Sequence, residues 1–159
     1  MSVAIVVYRI GTDTPDYVSE DLSGVGALLT GGRWNRKKTP MVYASGSRAL
    51  ACLETVVHLA GANPLPLNRY LVEISIPIAI WQARTTLDPT PIGWDAQPAG
   101  KVSLDWGTIW ANSNASVVAQ VPSVIVPEEW NYLINPNHPD ISQISATKVR
   151  KWTYDIRIK

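Results

Sequence analysis

Two residues have a type and a setting suited to chemistry on a small anionic molecule, Glu54 and Arg33. Glu54 lies within SRALACLETVVHLAG (residues 47–61), where Leu50, Leu53, Val57 and Ala60 recur at helical spacing. At about 100° per residue such a helix is apolar around most of its circumference. Its narrow polar strip carries Glu54, Thr55 and His58, with Glu54 at the border of the apolar arc. A carboxylate in that position is partly desolvated and requires a partner. Two readings stand: a working carboxylate, or a bland one, either on a solvated helix face or in a structural pair with Arg48 or another nearby cation.

Arg33 lies within LTGGRWNRKKTPMVYAS (residues 29–45). The two glycines ahead of it let the backbone bend and a ligand come close. The planar guanidinium suits bidentate phosphate binding, and the Trp34 indole beside it offers a stacking face. A glycine turn carrying a surface cation is the competing reading. The run Arg36-Lys37-Lys38 reads as a solvated loop, although it could attract a polyanion without specificity.

Other signals are weaker. GVGALL (residues 24–29) lacks the third glycine and the preceding strand of a dinucleotide fingerprint. His58 and His138 have no second ligand at metal spacing, and Cys52 falls on the apolar side of its helix, so no metal is expected. No GxSxG elbow occurs, and Ser123, between Pro122 and a β-branched run, reads equally as a strand-edge serine. Asn135 before Pro136 is a common turn pairing.

These residues need elements to hold them. Strands are expected at 3–8, 40–45 and 70–76, in VPSVIVP (121–127), and in the alternating terminal segment Trp152, Tyr154, Ile156, Ile158. Ser45 or Ser47 can cap the helix that follows, which should stop at Gly61. A shorter helix is expected at 104–112. The Pro- and Gly-rich stretch 85–101 and the polar stretch 128–140 read as loops. Strands and helices do not alternate strictly, which indicates a mixed α+β domain with a central sheet, one domain over residues 1–159.

Composition narrows the function classes. A net charge of +1 argues against wholesale nucleic-acid binding. The single cysteine excludes an internal disulfide framework and suits a reducing cytosol. No apolar run approaches membrane length, and MSVAIVVYRIG reads as a first strand rather than a signal peptide. The expectation is a cytoplasmic protein without membrane or direct nucleic-acid contacts.

In one order across nearly the whole chain stand YRI, GGRWN, VYAS, ALACLETVVHL, VPSVIVPEEWNYLINPNHPD and a final β segment. This ordered set resembles the RES domain family, the toxin half of bacterial RES–Xre toxin–antitoxin modules. The arginine, glutamate and serine that name the family map onto Arg33, Glu54 and Ser123. The loop after the tryptophan and asparagine often carries a glycine in that family, where this chain has Arg36-Lys37-Lys38.

The resemblance implies a fold similar to ADP-ribosyltransferases and a growth-inhibiting activity that degrades NAD+ at its nicotinamide–ribose bond. Water, phosphate or a protein would be the acceptor. NAD+ is then substrate, and no cofactor is implied. An Xre-type helix-turn-helix antitoxin covering the site is also implied, and a homodimer within such a complex is compatible with it. Glycoside cleavage passes through an oxocarbenium-like state. Nicotinamide leaves a cationic ring as a neutral base, so a single carboxylate, Glu54, suffices to stabilise positive charge. Arg33 and Arg9 would clamp the pyrophosphate, Tyr43 would stack in the catalytic centre, and Trp34 and Asn35 would line the substrate. Ser123 and Asn135 would offer neutral hydrogen bonds. Of the alternatives, transfer to a protein keeps the same site. A nucleic-acid or protein-binding module would instead use loop 36–38 and be indifferent to Glu54.

Overall fold

The computed structural model describes residues 3–59 and 61–158, so Met1, Ser2, Lys159 and Ala60 of the expected helical stripe lie outside them. The described strands are β1 (Ala4–Thr12), β2 (Val42–Ser45), β3 (Arg69–Pro77), β4 (Thr85–Thr86), β5 (Val118–Pro122), β6 (Trp130–Ile134) and β7 (Ser145–Lys151). Between them run α1 (Val25–Thr30), α2 (Arg48–Val56), α3 (Ile78–Gln82) and α4 (Lys101–Ser113). All seven strands form one sheet in the order β4-β5-β6-β2-β1-β3-β7. Only the β4–β5 pairing is parallel; the other neighbours are antiparallel. This is the mixed α+β domain that the element pattern indicated.

Strand alternation sorts the side chains onto two faces. Val7, Val42, Ala44, Val72, Ile74, Ile76, Tyr132 and Ile134 form one buried face. Tyr43, Ser45, Asn131 and Leu133 lie on the other. There α2 covers Ile10 and Leu71 through Ala51, and α4 covers Leu133, Ala119 and Val121 through Trp110 and Ala111. Both functional candidates reach this second face. Among the described residues no helix is long and apolar enough to cross a membrane.

Several elements depart from expectation. Of the two candidate caps it is the Ser47 hydroxyl that caps α2, accepting from Leu50 N at 3.1 Å. The helix nevertheless ends at Val56 rather than running to Gly61. There it tightens into i→i−3 bonds (His58 N to Thr55 O, Leu59 N to Val56 O). Leu53 and Val57 are 36% and 49% exposed, so the buried arc of α2 is narrower than its composition suggests. The β-branched run 124–126 is not strand. The Ser123 hydroxyl accepts from the N–H groups of Ile125 and Val126, folding the chain into a turn after β5. Within the stretch expected to be loop, β6 is a central strand between β5 and β2. The last strand comes earlier than its alternation indicates, because after Lys151 the chain leaves the sheet. Tyr154 instead packs against α2, its hydroxyl 2.6 Å from that of Thr55.

Candidate active site

Glu54 projects from α2 toward the β5–β6 hairpin. Its Oε1 accepts from Ser123 Oγ at 2.7 Å and from Asn131 Nδ2 at 2.8 Å. Ser123 is fully buried. With its lone pairs engaged by two backbone N–H groups, its proton is left for the carboxylate. Asn131 Oδ1 in turn accepts from Ser45 Oγ at 2.7 Å. Both protein donors converge on one oxygen, and Oε2 has no hydrogen-bond partner among the described residues. Arg48, one partner that the structural reading offered, faces Glu73 instead, at 3.8 Å.

Arg33 sits close enough to Glu54 to feel its charge, but it bonds to carbonyls instead. Nη1 donates to Ala96 O at 2.8 Å and Trp94 O at 3.3 Å, leaving the Nε–Nη2 edge without protein partners among the described residues. Partial burial lowers its pKa, opposed by Glu54, Asp95 and Tyr43. The 88–100 loop thus anchors the arginine without neutralising it.

The loop bearing Arg33 is built around Tyr43. The phenol donates to Asn35 Oδ1 at 2.5 Å and accepts from Trp34 N at 3.1 Å. Burial pushes its pKa well up, so it stays neutral. Asn35, fully buried, spends its amide on the carbonyls of Ala27, Arg36 and Thr39. The two glycines serve this packing. Gly31 adopts φ 72°, and a Cβ on Gly32 would lie 2.6 Å from the Tyr43 hydroxyl, so the close approach is by protein rather than ligand. The loop then turns at Lys38, φ 77°, a conformation glycine adopts most readily. Tyr43→Phe should leave Trp34 N–H and Asn35 Oδ1 unpaired, lowering stability by about 1–3 kcal/mol. Thermal unfolding would show this as a lower midpoint, and an unchanged midpoint would mean the phenol does not hold the loop.

Glu54 is hydrogen-bonded to Ser123, and Arg33 lies within electrostatic reach of both Glu54 and Tyr43. A family model described as the RES domain matches residues 6–157. The chain belongs to the RES domain family. A protein of a Sphingobium species named "Prs ADP-ribosylating toxin" is 56% identical over 95% of this chain and 94% of its own length. A Yersinia enterocolitica protein named "Toxin Res" is 34% identical over 90% of this chain and 93% of its own. In fold, the chain is similar to a chain of the crystal structure of the M. tuberculosis MbcT–MbcA toxin–antitoxin complex, with TM-score 0.65. That match covers 94% of this chain and 86% of the other at 16% identity.

The other expected site residues of this RES domain are placed differently. Arg9 leaves β1 on the Val7 face and lines a cavity of about 20 Å³ with Asp21, Gly24 and Met41. That cavity has room for about one water, not a pyrophosphate. Arg9 instead donates Nη1 to Tyr43 O at 2.9 Å, beyond the single β1–β2 register pair Tyr8–Ser45. Burial lowers its pKa, opposed by Tyr17, Asp21 and Tyr43. Trp34 has no free stacking face. It is 3% exposed, stacked on Trp94 at 6.3 Å and met edge-on by Trp106 at 5.8 Å. Asn135 joins β6 to the end of α4, donating to Ala111 O and Asn114 Oδ1 and accepting from Asn137 N. All its hydrogen-bonding ends face protein. In the basic loop, Arg36 is held by Asp105 at 2.6 Å. Sequence reasoning missed Asn131 and Ser45; Trp, Tyr, Leu and Ile around Asn131 were the available strand signal.

Proposed function

We propose that this RES domain is a toxin that breaks the nicotinamide–ribose bond of NAD+ and passes the ADP-ribosyl group to an acceptor. The observation that carries this reading is Glu54: one carboxylate oxygen is fixed by two donors, and its charge acts on the Arg33 guanidinium. Among the described residues, the other oxygen and one edge of that guanidinium have no hydrogen-bond partner. Oε2 would accept from a ribose hydroxyl while its charge stabilises the oxocarbenium-like state. The Arg33 edge would hold the pyrophosphate bidentately. In the step proposed, the C1′–N bond breaks and its electron pair leaves with neutral nicotinamide. The acceptor then bonds to C1′ and loses its proton. A protein acceptor is favoured over water or phosphate by the 56% identical relative named for ADP-ribosylating Prs. An antitoxin partner of the Xre helix-turn-helix type is part of this proposal, supported by the fold likeness to a toxin solved with its antitoxin.

Free nicotinamide, followed with the purified chain, NAD+ and either buffer, phosphate or Prs, tests the reading. Nicotinamide release with a matching mass increase on Prs is expected. Release without protein labelling would move the acceptor to water or phosphate, and no release under any condition would overturn the proposal. In the same assay Arg33→Ala should raise KM for NAD+ about 10- to 100-fold, the equivalent of the ~1.5–3 kcal/mol of hydrogen bonds to a charged group. An unchanged KM would remove Arg33 from the phosphate contact.

A further inference from the structure

We infer that Asn131 is a positioning residue for Glu54, oriented by that carboxylate, and that Ser45 holds the far end of its amide. The inference rests on the NAD+ reading only for its kinetic consequence. An ionised carboxylate accepts and cannot donate, so Asn131 must turn its NH2 toward Glu54 Oε1, 2.8 Å away. Its carbonyl oxygen then points toward β2 and needs a donor. Ser45, 3% exposed and directly opposite Asn131 in the β2–β6 register, supplies one at 2.7 Å. The direction of every proton in Ser45–Asn131–Glu54 therefore follows from the charge at its end. Without Ser45 the Asn131 carbonyl oxygen would lose its donor, and the amide would be held only at its NH2 end.

Ser123 alone cannot do this work. Its hydroxyl gives one bond to Oε1, about which the carboxylate could still rotate. A second donor from β6, fixed by the sheet rather than by a turn, holds Oε1 in place and so aims Oε2. The row runs Tyr8, Ser45, Asn131, Val121 across four strands on one face. A one-residue slip of β6 would send Asn131 to the opposite face. Register and active carboxylate are thus linked.

Asn131→Ala and the isosteric Asn131→Asp should lower kcat on the order of 10²-fold, the penalty of a misaimed group, with KM for NAD+ nearly unchanged. Ser45→Ala should give a smaller loss that vanishes when Asn131 is already alanine. Either variant with wild-type kcat and an intact thermal midpoint, or a loss appearing in KM alone, would overturn the inference. A readout independent of turnover is the side-chain amide resonance of Asn131 in a 15N spectrum. It should shift on Glu54→Gln and broaden on Ser45→Ala. If the wild type released no nicotinamide yet these shifts appeared, the NAD+ reading would fail and the positioning role would stand. If Glu54→Gln left the resonance unmoved, the positioning role would fail whatever the turnover.

Discussion

Glu54→Gln is expected to lower nicotinamide release by about 10²–10³-fold, the magnitude seen when one preorganised electrostatic group at a reacting centre is removed. The geometry makes this variant unusually clean. Ser123 and Asn131 both donate to Oε1, and the glutamine carbonyl can accept both bonds as the carboxylate does. The change falls on the other atom, where an anionic acceptor becomes a neutral N–H donor. Folding should be preserved, with a thermal midpoint close to the wild type and undiminished NAD+ binding by titration. Steady-state kinetics alongside calorimetry would separate these effects. A glutamine variant with wild-type turnover would take Glu54 out of the chemistry.

The second large effect concerns stability, at a buried glycine of α4. Gly107, in the middle of α4, packs on the backbone of Trp34; an added Cβ would sit 1.8 Å from Trp34 O and 2.7 Å from its carbonyl carbon. Helix propensity alone favours alanine over glycine by about 1 kcal/mol. Overpacking against a backbone atom that cannot swing aside costs about 3 kcal/mol, so the clash decides the sign. The net loss of about 2 kcal/mol means that Gly107→Ala should lower the melting temperature by roughly 4–8 °C for a domain of this size. Activity should fall with it, because Trp34 carries its neighbour Arg33. A higher melting temperature in differential scanning calorimetry would mean that helix and loop are free to move apart.

Local chemistry made part of this architecture legible. The Ser47 cap, the β-branched first strand and the mixed element order follow from short-range preferences, and Arg33 and Glu54 stand out by their immediate surroundings. Other features depend on distant partners. Asn131 reads as one polar residue in a polar stretch until β6 is seen wedged between β5 and β2. The β-branched 124–126 segment has strand propensity, but the Ser123 hydroxyl captures its N–H groups first. Trp34 and Asn35 look ligand-facing beside a glycine pair because nothing in the sequence reveals that Trp94, Trp106 and Tyr43 already occupy them. Arg9 is separated from Glu54 by strand alternation, once the register of β1 is known.

The separation along the chain between Glu54 and its two donors, 69 and 77 residues, has a consequence for synthesis. Chains emerge from the ribosome N-terminus first. Glu54 is therefore exposed to the cell long before the residues that aim it exist, and Arg33 waits for the carbonyls of Trp94 and Ala96. A truncated or stalled chain ending before Asn131 carries the carboxylate and the arginine but no assembled site. The assembled site can form only after Asn131 has been made and has cleared the ribosome.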